Sequence, residues 1–401
     1  MVTIRDVKVF FTAPKKSNLV VVKIETSEPG LYGLGCATFA YRIEAVRCVI
    51  EQYLRPLLIG RDVSRIEELW QIMNNNAYWR NGPISNNAIS GIDIALWDIK
   101  GKMANMPVYD LLGGKTREGV PVYRHATGRD MSELFDSIDG FLNDGVRYVR
   151  CQYNRYGTNA DQKEVPFMAE GPNYELYIQP DQYMKNTIMM FDKIREKYGF
   201  DLEVCHDTHE RVAARDAVYL AKRLEEHRLF FLEDLLSPEQ SDWFKNVRNA
   251  TTTPLAVGEL YNNPKEWDYL IRNRLIDFIR VHTSQIGGLT PARKLAIFAE
   301  AFGVKTAWHG PSDISPIGHA MNVHLDYAST NFGIQEWNGI NEELHEVFPG
   351  SPELRKGYVY LNNKPGFGVD FDEELAKKYP VNTDVVTWTQ TRYVDGSPCT
   401  P

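Results

Sequence analysis

Residues 202–259 read LEVCHDTHERVAARDAVYLAKRLEEHRLFFLEDLLSPEQSDWFKNVRNATTTPLAVGE. Three short apolar runs, Leu202–Asp207, Phe230–Glu233 and Pro254–Glu259, each end in a carboxylate, and a segment long enough for a helix separates each from the next. Asp207, Glu233 and Glu259 are spaced by 26 residues twice over, about the length of one strand, one helix and two short loops. The same unit recurs outward from this stretch. Val120–His125, Tyr148–Gln152, Phe278–His282, Val304–His309 and Phe332–Glu336 bring the set to eight, and from Leu202 onward the runs begin 24 to 28 residues apart. Helical periodicity fills the gaps, as at Ala213–Glu226 and Pro291–Phe302. Eight successive βα units predict an α/β fold of the (β/α)8, TIM-type barrel class.

The flanks have a different rhythm. Residues 1–118 open with strand patterns at Ile4–Phe11, Leu19–Thr26 and Tyr32–Thr38, followed by helical ones at Glu44–Leu58, Arg65–Met73 and Asn86–Ala104. Strands followed by helices predict an N-terminal α+β capping domain. The barrel is assigned to residues 119–355. The tail, 356–401, carries further strand signals and is expected to pack back on the capping domain and complete it. One barrel step is longer than the rest, from Tyr148 to Leu202. Besides a helix at Asp181–Tyr198 it holds Tyr153–Pro180, a stretch rich in Gly, Asn, Gln and Tyr. A long loop of that kind inside a compact domain marks a functional insertion.

Composition narrows the function. The chain has 401 residues, a net charge of −8, 43% hydrophobic and 24% charged content. That apolar fraction supports a large core. A mild, dispersed acidity offers no basic stripe to neutralise a phosphate backbone, so nucleic acid is not an expected partner. No apolar run is long enough to span a bilayer. Five scattered cysteines, Cys36, Cys48, Cys151, Cys205 and Cys399, make neither a disulfide framework nor a CxxC metal motif. The opening Met1–Phe11 reads as strand rather than as a secretory signal. Free thiols and a cytoplasmic location are the expectation.

In a barrel of this class chemistry is built at the C-terminal ends of the strands. Those ends carry His125, Arg150 with Gln152, Asp207 with His209, Glu233, Glu259, Arg280 with His282, His309 and Glu336, with Asp313 just beyond. Adjacent strands lie about 4.8 Å apart, so Asp207, Glu233 and Glu259 converge. Three converging anions repel unless a cation neutralises them. Carboxylates alone, without thiolate or imidazole, favour a hard divalent ion, Mg²⁺ foremost.

Carboxylates closing strands three, four and five behind an α+β capping module resemble the enolase superfamily. Tyr78-Trp-Arg-Asn-Gly-Pro83, Ala95-Leu-Trp-Asp-Ile-Lys100, Leu111-Leu-Gly-Gly114, His206-Asp-Thr-His-Glu-Arg211, Trp308-His-Gly-Pro-Ser-Asp313 and Lys364-Pro-Gly-Phe-Gly368 narrow the resemblance. They are similar to the mannonate dehydratase subgroup, also known as the D-galactonate dehydratase or starvation-sensing family, along essentially the whole chain.

The resemblance implies a lyase, a Mg²⁺-dependent dehydratase of acid sugars such as D-mannonate or D-gluconate. The reaction would be proton abstraction α to a carboxylate, an enediolate stabilised by the cation, and loss of the β-hydroxyl. It implies Asp207, Glu233 and Glu259 as metal ligands and His209 as the acid that protonates the departing hydroxyl. It also implies Arg150 as the cation that lowers the pKa of a tyrosine base from the inserted loop. Tyr153, Tyr156, Tyr174 and Tyr177 are available, and Tyr156, in Arg155-Tyr156-Gly157, is preferred. Arg280 is expected to hold the substrate carboxylate, with His125, His309, Asp313 and Glu336 on the hydroxyls. His282 alternates with Arg280 and serves structure as readily as function. A homo-oligomer is implied as well.

Two positions depart from the subgroup. Ala40 stands where members present a substrate-touching asparagine, and Leu235 where they carry proline or cysteine. The departures point to shifted specificity or weak mannonate turnover. They leave two alternatives: an acid-sugar-binding or regulatory protein with little turnover, and an epimerase or racemase using the same enediolate.

Overall fold

The computed structural model describes residues 1–153, 177–384, 389–393 and 395–400. At its N-terminus β1 (Ile4–Thr12), β2 (Leu19–Thr26) and β3 (Tyr32–Cys36) form an antiparallel sheet in that order. The central strand β2 buries Leu19, Val20, Val21 and Val22 in succession, which a strand does when both faces are covered. One cover is the helix Pro83–Ala104, apolar on most sides and buried along most of its length. It lies directly on β3. A Cβ on Gly33 or Gly35 would overlap the carbonyl oxygens of Ala95 and Gly91, so only glycine permits this approach.

The barrel strands are β4 (Val120–Gly128) and β5 (Tyr148–Tyr153), then, after β6 (Tyr177–Ile178), β7 (Glu203–Asp207), β8 (Phe231–Glu233), β9 (Leu255–Val257), β10 (Phe278–Ile279), β11 (Lys305–Thr306) and β12 (Gln335–Glu336). They pair in parallel and in chain order. β12 pairs with β4, and a bridge from Thr306 to Phe332 links the last two units, so the ring closes. All eight expected runs become barrel strands, giving the expected (β/α)8 barrel behind an α+β cap. β6 stands outside the ring, paired with β15 (Arg392–Tyr393).

The barrel floor is filled by Tyr123, Phe231 and Phe278, with Tyr123 edge-on to Phe231 at 5.6 Å and Phe231 to Phe278 at 5.3 Å. Such aromatic packing makes the lower barrel a core rather than a pore. The tail returns through β13 (Glu353–Arg355) and β14 (Tyr358–Tyr360), which pairs antiparallel with β4. It then reaches the cap. Phe371 stacks on Phe10 at 5.5 Å, Thr12 Oγ1 donates to the Ala376 carbonyl at 3.0 Å, and Lys23 meets Glu373 at 2.5 Å. The helix Pro83–Ala104 also fastens the cap to the barrel mouth. Asn86 Nδ2 donates to the carbonyls of Asn262 and Gln285, Trp97 Nε1 donates to Thr290, and Asp93 accepts from the Thr290 amide and hydroxyl. The five cysteines are unpaired. Among the described residues no helix is long and apolar enough to cross a membrane.

Candidate active site

β5 ends by sending Arg150 into the barrel, where Nη1 donates to Asp207 Oδ2 and Glu233 Oε1, both at 3.1 Å. Its Nη2 lies 3.2 Å from His125 Nδ1, and His125 Nε2 lies 2.7 Å from Glu336 Oε1. From the opposite wall Arg280 Nη2 reaches Glu233 at 2.9 Å and Glu336 at 2.7 Å, while Nη1 reaches Asp234 at 3.0 Å and Glu259 at 2.8 Å. Tyr123 ties floor to site, accepting from Arg280 Nη2 at 3.0 Å and donating to Glu233 Oε2 at 3.3 Å. Five carboxylates therefore share two guanidinium groups. Forked arginines are suited to this because each presents several fixed donors.

Exposure sorts the ring into two tiers. His125, His209, Glu259, His309 and Asp313 keep 13–20% of their side chains open. Asp207, Glu233, Arg280 and Glu336 keep at most 1%. The strand-end residues gather at one mouth, but of those expected to touch substrate Arg280 and Glu336 are fully buried. Arg280 does not offer an open fork to a substrate carboxylate, because its terminal nitrogens are spent on the protein's own acids. Glu336 likewise accepts from Arg280 and from the Gly310 amide at 2.8 Å and is closed to solute. Both are engaged with the protein's own groups beneath the mouth.

The acidic cluster also differs from expectation in one member. Asp207 and Glu233 come together, and the third carboxylate within 4.8 Å of both is Asp234. Glu259 stands across Arg280 instead, with His309 Nε2 at 3.2 Å and His209 Nε2 at 3.4 Å from its oxygens. Strict alternation would turn Asp234 away from the site, since Glu233 faces inward. The chain breaks that alternation. Asp234 adopts φ +39° and swings inward, where Oδ1 accepts from the Gly258 amide at 3.0 Å. His209 and Glu210, at φ +54° and +58°, are left-handed as well. His209 thus reaches Glu259 from a turn and not from an extended strand end. Non-glycine residues in this region are strained and collect at functional sites.

Electrostatics shows what the cluster lacks. Burial, with Asp207 adding to it, pushes the Glu233 carboxyl up to about 8 against the pull of Arg280 and Arg150. Burial also raises Asp234, helped by neighbouring Glu259. Burial would raise Glu259 too, but His309, His209 and Arg280 outweigh it and hold that carboxyl well below the usual range. Buried oxygens with too little positive charge around them suit a hard divalent cation, and an all-carboxylate donor set suits Mg²⁺ over softer metals.

The remaining expected residues are placed as follows. Asp313 Oδ1 lies 3.9 Å from His282 Nε2, and burial raises the Asp313 carboxyl. His282 is fully buried, its ring 5.3 Å from that of His309, and burial drives its pKa down to about 3, so it is neutral. Tyr156 and Tyr174 lie outside the described residues. Reading the sequence passed over Asp234, Tyr123 and the Gly310 amide. The adjacent acids Glu233-Asp234 were the available signal for the first; for the other two there was none.

Two family models match the chain. "Mandelate racemase / muconate lactonizing enzyme, N-terminal domain" covers residues 1–113, and "Enolase C-terminal domain-like" covers residues 174–375. A D-galactonate dehydratase family member of Enterocloster bolteae is 52% identical over 401 residues, spanning 100% of this chain and 99% of that protein. A relative of the same description from Salmonella enteritidis is 52% identical over 99% of this chain and 98% of its own length. Among solved structures, an enolase from Pantoea ananatis with bound D-gluconate and Mg superposes with a TM-score of 0.97 at 49% identity, covering all of both chains.

Proposed function

Because the chain belongs to the enolase superfamily and, within it, to the D-galactonate dehydratase family, we propose that it is a Mg²⁺-dependent hydro-lyase. Its reaction would convert an aldonate, D-gluconate first and D-mannonate second, into the 2-keto-3-deoxy acid. The observation that carries the reading is the buried carboxylate cluster of Asp207 and Glu233, ringed by open His125, His209 and His309. D-gluconate leads because it is the ligand of the Pantoea structure.

Asp207, Glu233 and Glu259 would hold the ion. Glu259 is preferred to Asp234 as third ligand for a physical reason. Asp234 has one oxygen on the Gly258 amide and the other on Arg280, so neither is free, whereas Glu259 keeps part of its side chain open and among the described residues is met by the side chains of Arg280, His209 and His309. When bound, the ion supplies fixed positive charge against the charge that develops on the substrate carboxylate.

The chain's own groups do the proton work. Arg150 lies on β5, three residues before Tyr153, where the described stretch ends; in this reading its guanidinium favours the phenolate form of a tyrosine, Tyr156. That phenolate takes the α-proton. His209 Nε2 gives a proton to the departing β-hydroxyl, and its contact with Glu259 orients the ring. His125, His309 and Asp313 hydrogen-bond the remaining hydroxyls. The dehydrated product leaves as an enol and tautomerises to the 2-keto acid. The same reading carries a cytosolic homo-oligomer.

Incubating the metal-loaded protein with an aldonate library and assaying 2-keto-3-deoxy acids tests the proposal. Product from D-gluconate or D-mannonate is expected, and silence across the library overturns the dehydratase reading. Ala40 favours a second reading, an acid-sugar-binding protein with little turnover, because a methyl group there donates nothing to a hydroxyl. Saturable aldonate binding without product would select it. Deuterium uptake at the α-carbon without loss of water would select an epimerase.

A further inference from the structure

On β4 alternation sends His125 inward to the mouth and its neighbour Arg124 outward. Outside the barrel Arg124 meets Lys15, which comes from the hairpin joining β1 to β2 in the capping domain. Together with Trp337, His345, Glu353 and Arg355 they line a cavity of about 610 Å³. Three cationic side chains, Lys15, Arg124 and Arg355, and His345 face one acid there, in a chain whose net charge is −8.

Among the described residues the two central cations lack counter-ions. Lys15 Nζ donates to the Asn338 and Gly339 carbonyls at 2.7 and 2.9 Å and to no carboxylate among the described residues. The half-buried Arg124 guanidinium lies over the Phe141 ring at 4.8 Å and makes no ion pair among the described residues. Burial lowers the pKa of Lys15, and the Arg124 charge lowers it further. Burial lowers Arg124 as well, with only the more distant Asp144 opposing. Burying a cation without a partner costs free energy that an anion would return.

We propose that this cavity binds a small multivalent oxyanion, of the phosphate-ester or dicarboxylate class, clamped between Lys15 and Arg124. The planar fork of Arg124 can engage two oxygens at once while Lys15 supplies a point charge. Because Lys15 belongs to the cap and Arg124 to the barrel, the bound anion joins the two domains. It would hold the β1–β2 hairpin against the loop that follows Glu336, on the far side of Trp337 from the acid-sugar site. The site is separate from the metal cluster and does not depend on the dehydratase reading.

Isothermal titration of the metal-loaded full-length protein with inorganic phosphate, at ionic strength held constant with chloride, tests it. One saturable phosphate per chain is expected. Arg124→Gln should weaken binding by about tenfold or more, Arg124→Lys by less, and both should dehydrate aldonate as the parent does. Arg355→Gln, on the exposed side of the cavity, should weaken binding severalfold and guards against a folding defect at Arg124. Malonate competing with phosphate assigns the cavity to oxyanions in general, and failure to compete narrows it to phosphate-bearing ligands; both uphold the site. Absence of saturable binding, or binding undiminished in Arg124→Gln and Arg355→Gln, overturns it.

Discussion

Asp234 enters the site because one residue leaves the extended conformation, and its role can be separated from that of Glu259 by measurement. In a Mg²⁺ titration, Asp207→Asn, Glu233→Gln and Glu259→Gln should each lower affinity by about tenfold or more, the scale of losing one charged ligand. Asp234→Asn should cost less, since it acts by steering Arg280 and Gly258. A greater loss at Asp234→Asn than at Glu259→Gln would exchange the two assignments. His209→Asn should reduce kcat by roughly 10²–10⁴ with KM little changed, as expected for loss of a positioned acid. Arg280 has a different task. Its guanidinium neutralises Glu233, Asp234, Glu259 and Glu336 in a closed space. Arg280→Met, which leaves buried acids uncompensated, should destabilise the metal-free protein by about 3–5 kcal/mol in urea denaturation.

At the scale of the element, the helix Pro83–Ala104 does most to join cap to barrel. Asp93 on that helix is fully buried, and burial raises its carboxyl to about 7 despite the Thr290 hydrogen bonds. The unfolded chain releases that proton near the ordinary carboxylate value, 3.8. The folded state therefore holds an extra proton between about pH 4 and 7. Its contribution to stability is full below that window and is lost as pH rises through it. Asp93→Asn should remove this loss, so that its stability relative to the parent improves by roughly 2–4 kcal/mol from pH 4 to 7. A pH-independent difference would show that Asp93 is ionised throughout.

Elements were also the most legible level in the sequence. Every barrel run was visible as an apolar stretch ending in a polar residue, because a strand between barrel core and helix layer is apolar until it emerges. Strand ends were less legible. Phe278–His282 reads as five strand residues, while regular pairing in β10 stops at Ile279. The ladder continues irregularly, with Arg280 donating from its amide to Val257 and His309 from its amide to Val281. Two residues beyond Phe278, which faces the barrel interior, ordinary alternation turns Arg280 inward, where it reaches four acids.

For the whole molecule, metal and fold are linked. A cation bound only by the folded chain stabilises it by mass action, about 2.7 kcal/mol at a hundredfold excess over Kd. Stripping Mg²⁺ with EDTA should lower Tm by a few degrees, and re-addition should restore it. The effect should shrink in Asp207→Asn, to about half if affinity falls tenfold. A chelator-independent Tm in the parent would speak against a metal held by this cluster.

Chain order alone determined the number of barrel units, the cap before them, and the set of ionisable side chains delivered to one end. Periodicity is a local property and survives in a linear reading. What only the folded chain decided was which of those side chains face the open mouth and which are spent on one another. Arg280 and Glu336 are paired with the protein's own groups, and Asp234 entered the cluster, for one reason. Charged groups in a confined space pair with whatever lies nearest in three dimensions, and a single left-handed residue can change which group that is.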